Sequence, residues 1–188
     1  MLLLVDLLQA LRGLSRLFRF DAGYRDYFDK TIQGTWRSFF AMMLVAPVVA
    51  LTLPDDISKI YPNATSFEYL AVVVLIYIIS WTLYPQIAHE ICRRLGKQEA
   101  FPAYLTIYNW FQLIHIPFGI LLYGILQVPS NEVLVLFRIV EYVCYFSYLF
   151  FLSRKSLQLG ALPASAFVVA DFLMSEGLVF VSLLILAH

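Results

Sequence analysis

Five long apolar stretches, separated by short polar segments, constrain the fold of this chain more than any other feature. They lie near residues 36–53, 67–88, 102–127, 132–152 and 162–187. A helix needs roughly 20 apolar residues to cross the hydrocarbon core of a bilayer. Only 14% of the residues are charged, whereas a soluble domain has roughly 25%, so lipid is the solvent that suits this surface. We therefore predict an all-α polytopic transmembrane helix bundle with about five spans in residues 36–188.

Residues 1–35 form a separate cytoplasmic or interfacial segment in this prediction. Apolar side chains recur at helical spacing over residues 2–19, at Leu3, Leu7, Leu11, Leu14 and Phe18. The opposite side of this amphipathic helix carries the basic residues Arg12, Arg16 and Arg19. A helix with a leucine face and a basic face is typical of the membrane interface, where it binds lipid. The pattern also fits a helix packed on the cytoplasmic face of the bundle, and the two interpretations are compatible.

The unequal distribution of basic residues predicts how the chain is oriented. Nearly all of the 13 Lys and Arg residues either precede the first span or lie in the loops after the second and fourth spans. These are Arg12, Arg16, Arg19, Arg25, Lys30, Arg37, Arg93, Arg94, Lys97, Arg154 and Lys155, whereas the opposite loops contain only Lys59. The positive-inside rule then places the N-terminus in the cytoplasm and the C-terminus outside. The first residues lack a basic region followed by a cleavage site, so we expect no cleavable signal peptide.

Ionisable residues inside the predicted spans are the strongest candidates for function. They are His115, Arg138, Glu141, Asp171 and Glu176. Each costs a few kcal/mol inside a bilayer unless it has a partner. The rise of about 1.5 Å per residue places Glu176 and His115 level with Arg138, and Glu141 level with Asp171. We expect Arg138 to pair with Glu176 or Glu141. Three interpretations stay open: polar contacts that hold helices together, a proton or ion path, and a metal site.

The third predicted span carries a polar face beside this cluster. Tyr104, Tyr108, Gln112, His115, Gly119 and Tyr123 lie three or four residues apart and therefore share one side of a helix. Such a face either lines a cavity or packs against the fourth and fifth spans, where Gly119 would allow a close approach. Several aromatic residues, among them Trp36, Tyr84, Tyr104 and Tyr123, fall near predicted membrane interfaces, where aromatic side chains are common.

The sequence contains no motif that predicts catalysis. Nucleophile elbows, phosphate-binding loops, paired zinc ligands and nucleotide fingerprints are all absent from the chain. The two cysteines, Cys92 and Cys144, lack the spacing of a zinc site or a disulfide framework. We therefore predict a protein that is not an enzyme and that needs no cofactor or metal. The formal net charge of zero gives no reason to expect a nucleic-acid partner.

Two segments resemble known membrane proteins. The basic turn from Ile91 to Phe101 leads into the polar third span and resembles the corresponding loop of the Yip family of five-span membrane proteins. This resemblance implies a five-span layout with a cytoplasmic N-terminus, and the eukaryotic members are associated with small GTPases and vesicle traffic. The segment from Phe28 to Phe39, followed by Pro47, is similar to uncharacterised inner-membrane proteins of alphaproteobacteria. It implies a location in a bacterial inner membrane, with a periplasmic C-terminus.

These features favour a membrane protein that scaffolds a larger assembly or serves as one of its subunits. Its expected partners are membrane lipids and other membrane protein subunits or further copies of itself. The alternative is a small proton- or cation-coupled transporter or channel that uses the acidic and histidine cluster in the spans. A water-filled cavity reaching Glu141 and Asp171 would favour transport, whereas a dry and fully paired cluster would favour a structural role.

Overall fold

The computed structural model describes residues 2–51, 61–125 and 131–187, and within these ranges the fold is all-α. The α-helices are α1 (Leu2–Leu17), α2 (Ile32–Ser38), α3 (Phe40–Ala50), α4 (Ser66–Arg94), α5 (Phe101–Ile125), α6 (Asn131–Ser156) and α7 (Ala161–Leu186). Two short 3₁₀ helices cover Ala22–Tyr27 and Gln98–Ala100. The predicted fold class is therefore confirmed at the level of an all-α chain.

Three described helices, rather than the five predicted, are long and apolar enough to cross a membrane. They are α4, residues Val135–Ser156 of α6, and α7. The first predicted span, 36–53, is divided between α2 and α3, because the helix is interrupted at Phe39. There the Phe39 amide donates to the Trp36 carbonyl at 3.3 Å, a tighter i to i−3 bond of the kind that closes the last turn of a helix. The third span corresponds to α5, whose polar residues lower its apolar character.

Helix α5 forms the centre of the bundle. Nine consecutive residues, 104–112, are buried, so every side of this part of the helix faces protein. It packs against α1, α2, α3, α4 and α6, while α7 packs against α4 and α6. A helix surrounded in this way can hold polar side chains because its neighbours supply hydrogen-bond partners. The polar face that lowers the apolar character of α5 is therefore compatible with a position inside the protein.

The N-terminal segment packs across one end of the bundle. We call this the basic end: α4 and α6 end there with Arg93, Arg94, Arg154 and Lys155, and α5 and α7 begin there. The buried Tyr24 hydroxyl group lies 2.8 Å from the Ser156 hydroxyl group. The Asn109 side-chain amide donates to the Ser38 hydroxyl oxygen at 2.9 Å. The first 38 residues are thus joined to α5 and α6 by specific polar contacts.

Helix α1 has two apolar faces, and this corrects the single leucine stripe expected from the sequence. Ala10, Leu14 and Leu17 are fully buried against the rest of the protein. Leu3 and Leu11, expected on the same stripe, are 37% and 43% exposed. The difference arises because leucines occupy well over half of the helix circumference, so packing one face leaves another uncovered. The basic face is exposed as predicted, with Arg12, Arg16 and Arg19 all at the surface.

An ionic contact fixes the start of α1 to α2. The Arg37 guanidinium group donates to Asp6 at 2.6 Å and to Asp29 at 2.5 Å. Hydrogen bonds from the Thr31 hydroxyl group and backbone amide, together with Arg37, hold the pKa of Asp29 below its ordinary value of 3.8. Gly34 is needed at this point because a Cβ atom there would lie 2.5 Å from the Asp29 side chain.

Candidate functional site

A polar cavity of about 280 Å³ lies between α4, α5, α6 and α7. Its lining includes all five ionisable residues predicted inside the spans, namely His115, Arg138, Glu141, Asp171 and Glu176, as well as Tyr108 and Gln112 from the predicted polar face of α5. Ser80 and Trp81 of α4 close another side. The five ionisable residues, which lie up to 61 positions apart in sequence, therefore meet in one place, as the depth argument from helical rise predicted for most of them.

Asp171 is the most deeply buried carboxylate in this cavity. Asp171 is only 2% exposed. The Tyr108 hydroxyl group donates to one carboxylate oxygen at 2.7 Å, and the Tyr145 hydroxyl group donates to the other at 2.8 Å. The Gln112 amide in turn donates to the Tyr145 oxygen at 3.1 Å. These bonds connect α5, α6 and α7 and give the buried carboxylate two donors.

Glu141 faces His115 on the side of the cavity nearer the end of α5. The His115 Nε2 and Glu141 Oε1 atoms are 3.9 Å apart. The other ring nitrogen of His115 lies 3.3 Å from the Gln112 side-chain oxygen, and its ring stacks on Tyr145 at a centroid distance of 3.9 Å. Gly119 permits this arrangement, because a Cβ atom at that position would collide with the Glu141 carboxylate. The expected close approach at Gly119 is therefore made to a carboxylate.

Tyr142 joins the other two charged residues of the cavity. Its hydroxyl group donates to Glu176 at 2.6 Å, and the Arg138 guanidinium group lies 5.3 Å from its ring centroid. Arg138 and Glu176 were expected to meet, and the structure places both against this one aromatic side chain. Tyr142 was missed at the sequence level, although its position one helical turn after Arg138 is a signal that would have found it.

A cluster of buried tyrosines extends from the cavity toward the basic end. The Tyr84 and Tyr104 hydroxyl groups are hydrogen-bonded at 2.5 Å, and the Ser153 hydroxyl group donates to Tyr104 at 3.4 Å. Tyr84 stacks on Tyr108, with ring centroids 4.3 Å apart. Tyr84 and Tyr104 were expected at a membrane interface, but both are fully buried. They lie inside because α5 is surrounded by protein on all sides at this level.

The charged residues of the cavity do not balance. Among the described lining residues, three carboxylates (Glu141, Asp171 and Glu176) face one guanidinium group, that of Arg138, so the formal charge of these residues is −2 when all three carboxylates are ionised and His115 is neutral. Among the described residues, no three His, Cys, Asp or Glu side chains lie close enough together to hold a metal ion. The cavity therefore offers scattered negative charge linked by hydroxyl and imidazole groups. Such an arrangement suits protons or small monovalent cations.

One predicted site residue cannot be placed in this geometry. Tyr123 lies on α5, but its side chain falls outside the described part of the structure. The three basic residues predicted for the membrane surface lie on α1 and just after it, away from the cavity lining. Arg16 contacts Asp21 at 3.5 Å and lies over the Tyr27 ring at 5.0 Å.

Comparison of the chain with protein-family models, with curated proteins and with solved structures gave no match. The function of the chain is therefore inferred from the geometry of the cavity and from the sequence.

Proposed function

We propose that this chain is a non-enzymatic integral membrane protein that takes up protons or small monovalent cations in its central cavity as part of a transport cycle. The observation that supports this most directly is the formal charge of −2 on the lining of one cavity among helices suited to a bilayer. Net charge inside a bilayer is costly, and an exchangeable positive species is the simplest compensation. Transport was the alternative at the sequence level, and it is supported by a cavity at Glu141 and Asp171 that is large enough to hold several water molecules.

The side chains around the cavity are suited to passing a proton from one to the next. Tyr108 and Tyr145 both donate to Asp171, while Gln112, which has no titratable proton, lies within hydrogen-bond distance of Tyr145 and His115 and holds these two side chains in position. His115 lies 3.9 Å from Glu141, a gap that one water molecule or a small side-chain rotation would bridge. Histidine and carboxylate chains of this kind are typical of proton relays inside membranes.

The proposed arrangement has five spans, in which residues 36–53, which include α3, and helix α5 are added to the three helices that are long and apolar enough to cross a membrane. The basic end faces the cytoplasm of a bacterial inner membrane, and the C-terminus lies in the periplasm, as the distribution of Lys and Arg indicates. Helix α1 then lies at the cytoplasmic surface, where its exposed Leu4, Leu8 and Leu11 contact lipid. This layout is the one that the Yip-like resemblance implies.

Proton flux into vesicles tests the proposal. The full chain is reconstituted into liposomes that contain a pH-sensitive dye, and a potassium-valinomycin potential is applied. We expect wild-type protein to acidify the lumen faster than protein-free vesicles do, and Glu141→Gln to abolish the difference. Glu99→Gln is the matched control, because Glu99 is an exposed carboxylate in the loop before α5. The flux measurement is repeated with sodium and with potassium as the driving ion. Equal flux rates for wild type, Glu141→Gln and empty vesicles with all three ions would refute transport.

A scaffold or subunit role remains a second proposal, and the pairing within the cavity favours it. Asp171 and Glu176 each accept a hydrogen bond from a tyrosine on another helix. Such bonds hold helices together in membrane bundles. Native mass spectrometry in mild detergent tests this role: a stoichiometric partner, or a defined homo-oligomer, would support it, and a monodisperse monomer would count against it.

A further inference from the structure

A second pocket, at the basic end, is lined by cationic side chains. It has a volume of about 410 Å³ and is formed by Ala22, Arg25, Arg154, Lys155, Gln158 and Leu159. Among the residues that the structure describes, the lining therefore contains three cationic side chains and no acidic one. The acidic residues closest to Arg25 in sequence are engaged elsewhere, since Asp21 contacts Arg16 at 3.5 Å and Asp26 contacts Lys30 at 3.2 Å. The pocket thus has an uncompensated positive charge.

The pocket is built by contacts that hold its two walls together. The Arg25 guanidinium group donates to the Lys155 backbone carbonyl at 2.8 Å, which leaves its remaining N–H groups for a ligand. The adjacent Tyr24 is buried and contacts Ser156, so the 3₁₀ helix is fixed to the end of α6. Gln158 adopts φ of +51°, a left-handed conformation that is uncommon outside glycine. Gln158 is one of the residues that line the pocket.

We propose that this pocket binds the phosphate group of an anionic membrane phospholipid. Guanidinium and ammonium groups together are the usual protein ligands of a phosphate. The pocket lies where two membrane-compatible helices end and begin, which is the level of lipid headgroups. Leu159 is part of the lining, and Leu162, three residues later in the first turn of α7, is 84% exposed, so apolar surface for acyl chains follows the cationic residues along the chain. An amphiphile fits this combination, whereas inorganic phosphate would use the cations alone.

Lipid binding to the full chain in mild detergent tests the proposal. Native mass spectrometry is carried out with equal amounts of phosphatidylglycerol and phosphatidylcholine. We expect phosphatidylglycerol to be retained preferentially, and Lys155→Gln to lower its occupancy about fivefold, as estimated for one basic residue at a membrane surface. This substitution keeps the bond from Arg25, which uses the backbone carbonyl of Lys155. The triple variant R25Q/R154Q/K155Q should lose the preference.

The triple variant R93Q/R94Q/K97Q is the matched control, because it removes the same number of charges from the same end of the bundle. It should retain the lipid. Equal losses in both triple variants would show general charge attraction and overturn the proposal. Inorganic phosphate is tested as a competitor: displacement of phosphatidylglycerol only at large excess supports a lipid site, whereas tight phosphate binding without lipid preference would refute it. The cavity residues are unchanged in these variants, so flux through wild type and Lys155→Gln should be equal.

Discussion

The hydroxyl group of Tyr108 donates a 2.7 Å hydrogen bond to Asp171 and so connects the central helix α5 to α7. Both residues are buried, and both line the polar cavity. A buried carboxylate needs such donors, because an unsatisfied charge inside a protein or a bilayer is expensive. The pair therefore links the stability of the bundle to the polar chemistry at its centre.

Removing this donor should destabilise the protein. Tyr108→Phe keeps the aromatic ring and deletes only the hydroxyl group, which leaves Asp171 with the donor from Tyr145. We expect a loss of about 1–3 kcal/mol, the cost of leaving a buried polar group short of a partner. Thermal unfolding in detergent measures it. Tyr69→Phe, in the first turns of α4, is the control and should change the melting temperature little. Equal melting temperatures for all three proteins would contradict the described hydrogen bond.

Glycine at position 119 leaves room for the Glu141 carboxylate, and a side chain at this position should displace it. In Gly119→Ala the new methyl group would meet the Glu141 carboxylate, which is the flexible end of its side chain and can move away. We therefore expect little loss of stability but a reduced proton flux, since Glu141 leaves His115. Gly177→Ala on α7 is the matched control, because no atom lies within 4 Å of its Cβ position. If both variants transport like wild type, the position of Glu141 is not important for flux.

The stability of the N-terminal segment should depend on pH, because the Asp29 carboxylate becomes protonated in acid. Its pKa is lowered in the folded protein by hydrogen bonds from Thr31 and by Arg37. A lowered carboxylate pKa stabilises the folded state above the ordinary value of 3.8, and this contribution disappears as the pH falls through the lower folded value. Asp29→Asn should therefore melt below wild type at neutral pH, and the gap should close in acid. Asp26→Asn, an exposed control, should show no such gap.

The long apolar helices could be predicted because they depend on long local stretches of sequence. The bounds of α6 and α7 lie within four residues of the predicted spans 132–152 and 162–187. The first span was predicted less well, because hydropathy does not register the interruption of the helix at Phe39. The position of α5 at the centre of the bundle also depends on contacts between distant segments.

The charged residues of the cavity and Tyr108 could be predicted, whereas Tyr142 in the cavity and the burial of Tyr84 and Tyr104 could not. Ionisable residues inside apolar stretches are conspicuous, and helical rise gives their depth. Tyr84, Tyr104 and Tyr142 are amphipathic, so their sequence positions are equally consistent with a membrane interface and a buried hydrogen-bond network. Only the packing of α4 and α6 around α5 decides between these environments. The basic pocket also needed the structure, because Arg25 and Lys155 are 130 positions apart.

Proton flux through Asp171→Asn, measured together with its melting temperature, shows whether the buried carboxylate of the cavity is needed for transport. Asparagine keeps the size of the side chain and can still accept from Tyr108, but it cannot bind or release a proton. The account predicts a variant that folds and melts as a single species in lipid vesicles and no longer transports protons or cations. Wild-type flux in a folded Asp171→Asn protein would contradict the account, and so would a wild-type protein that transports no faster than empty vesicles.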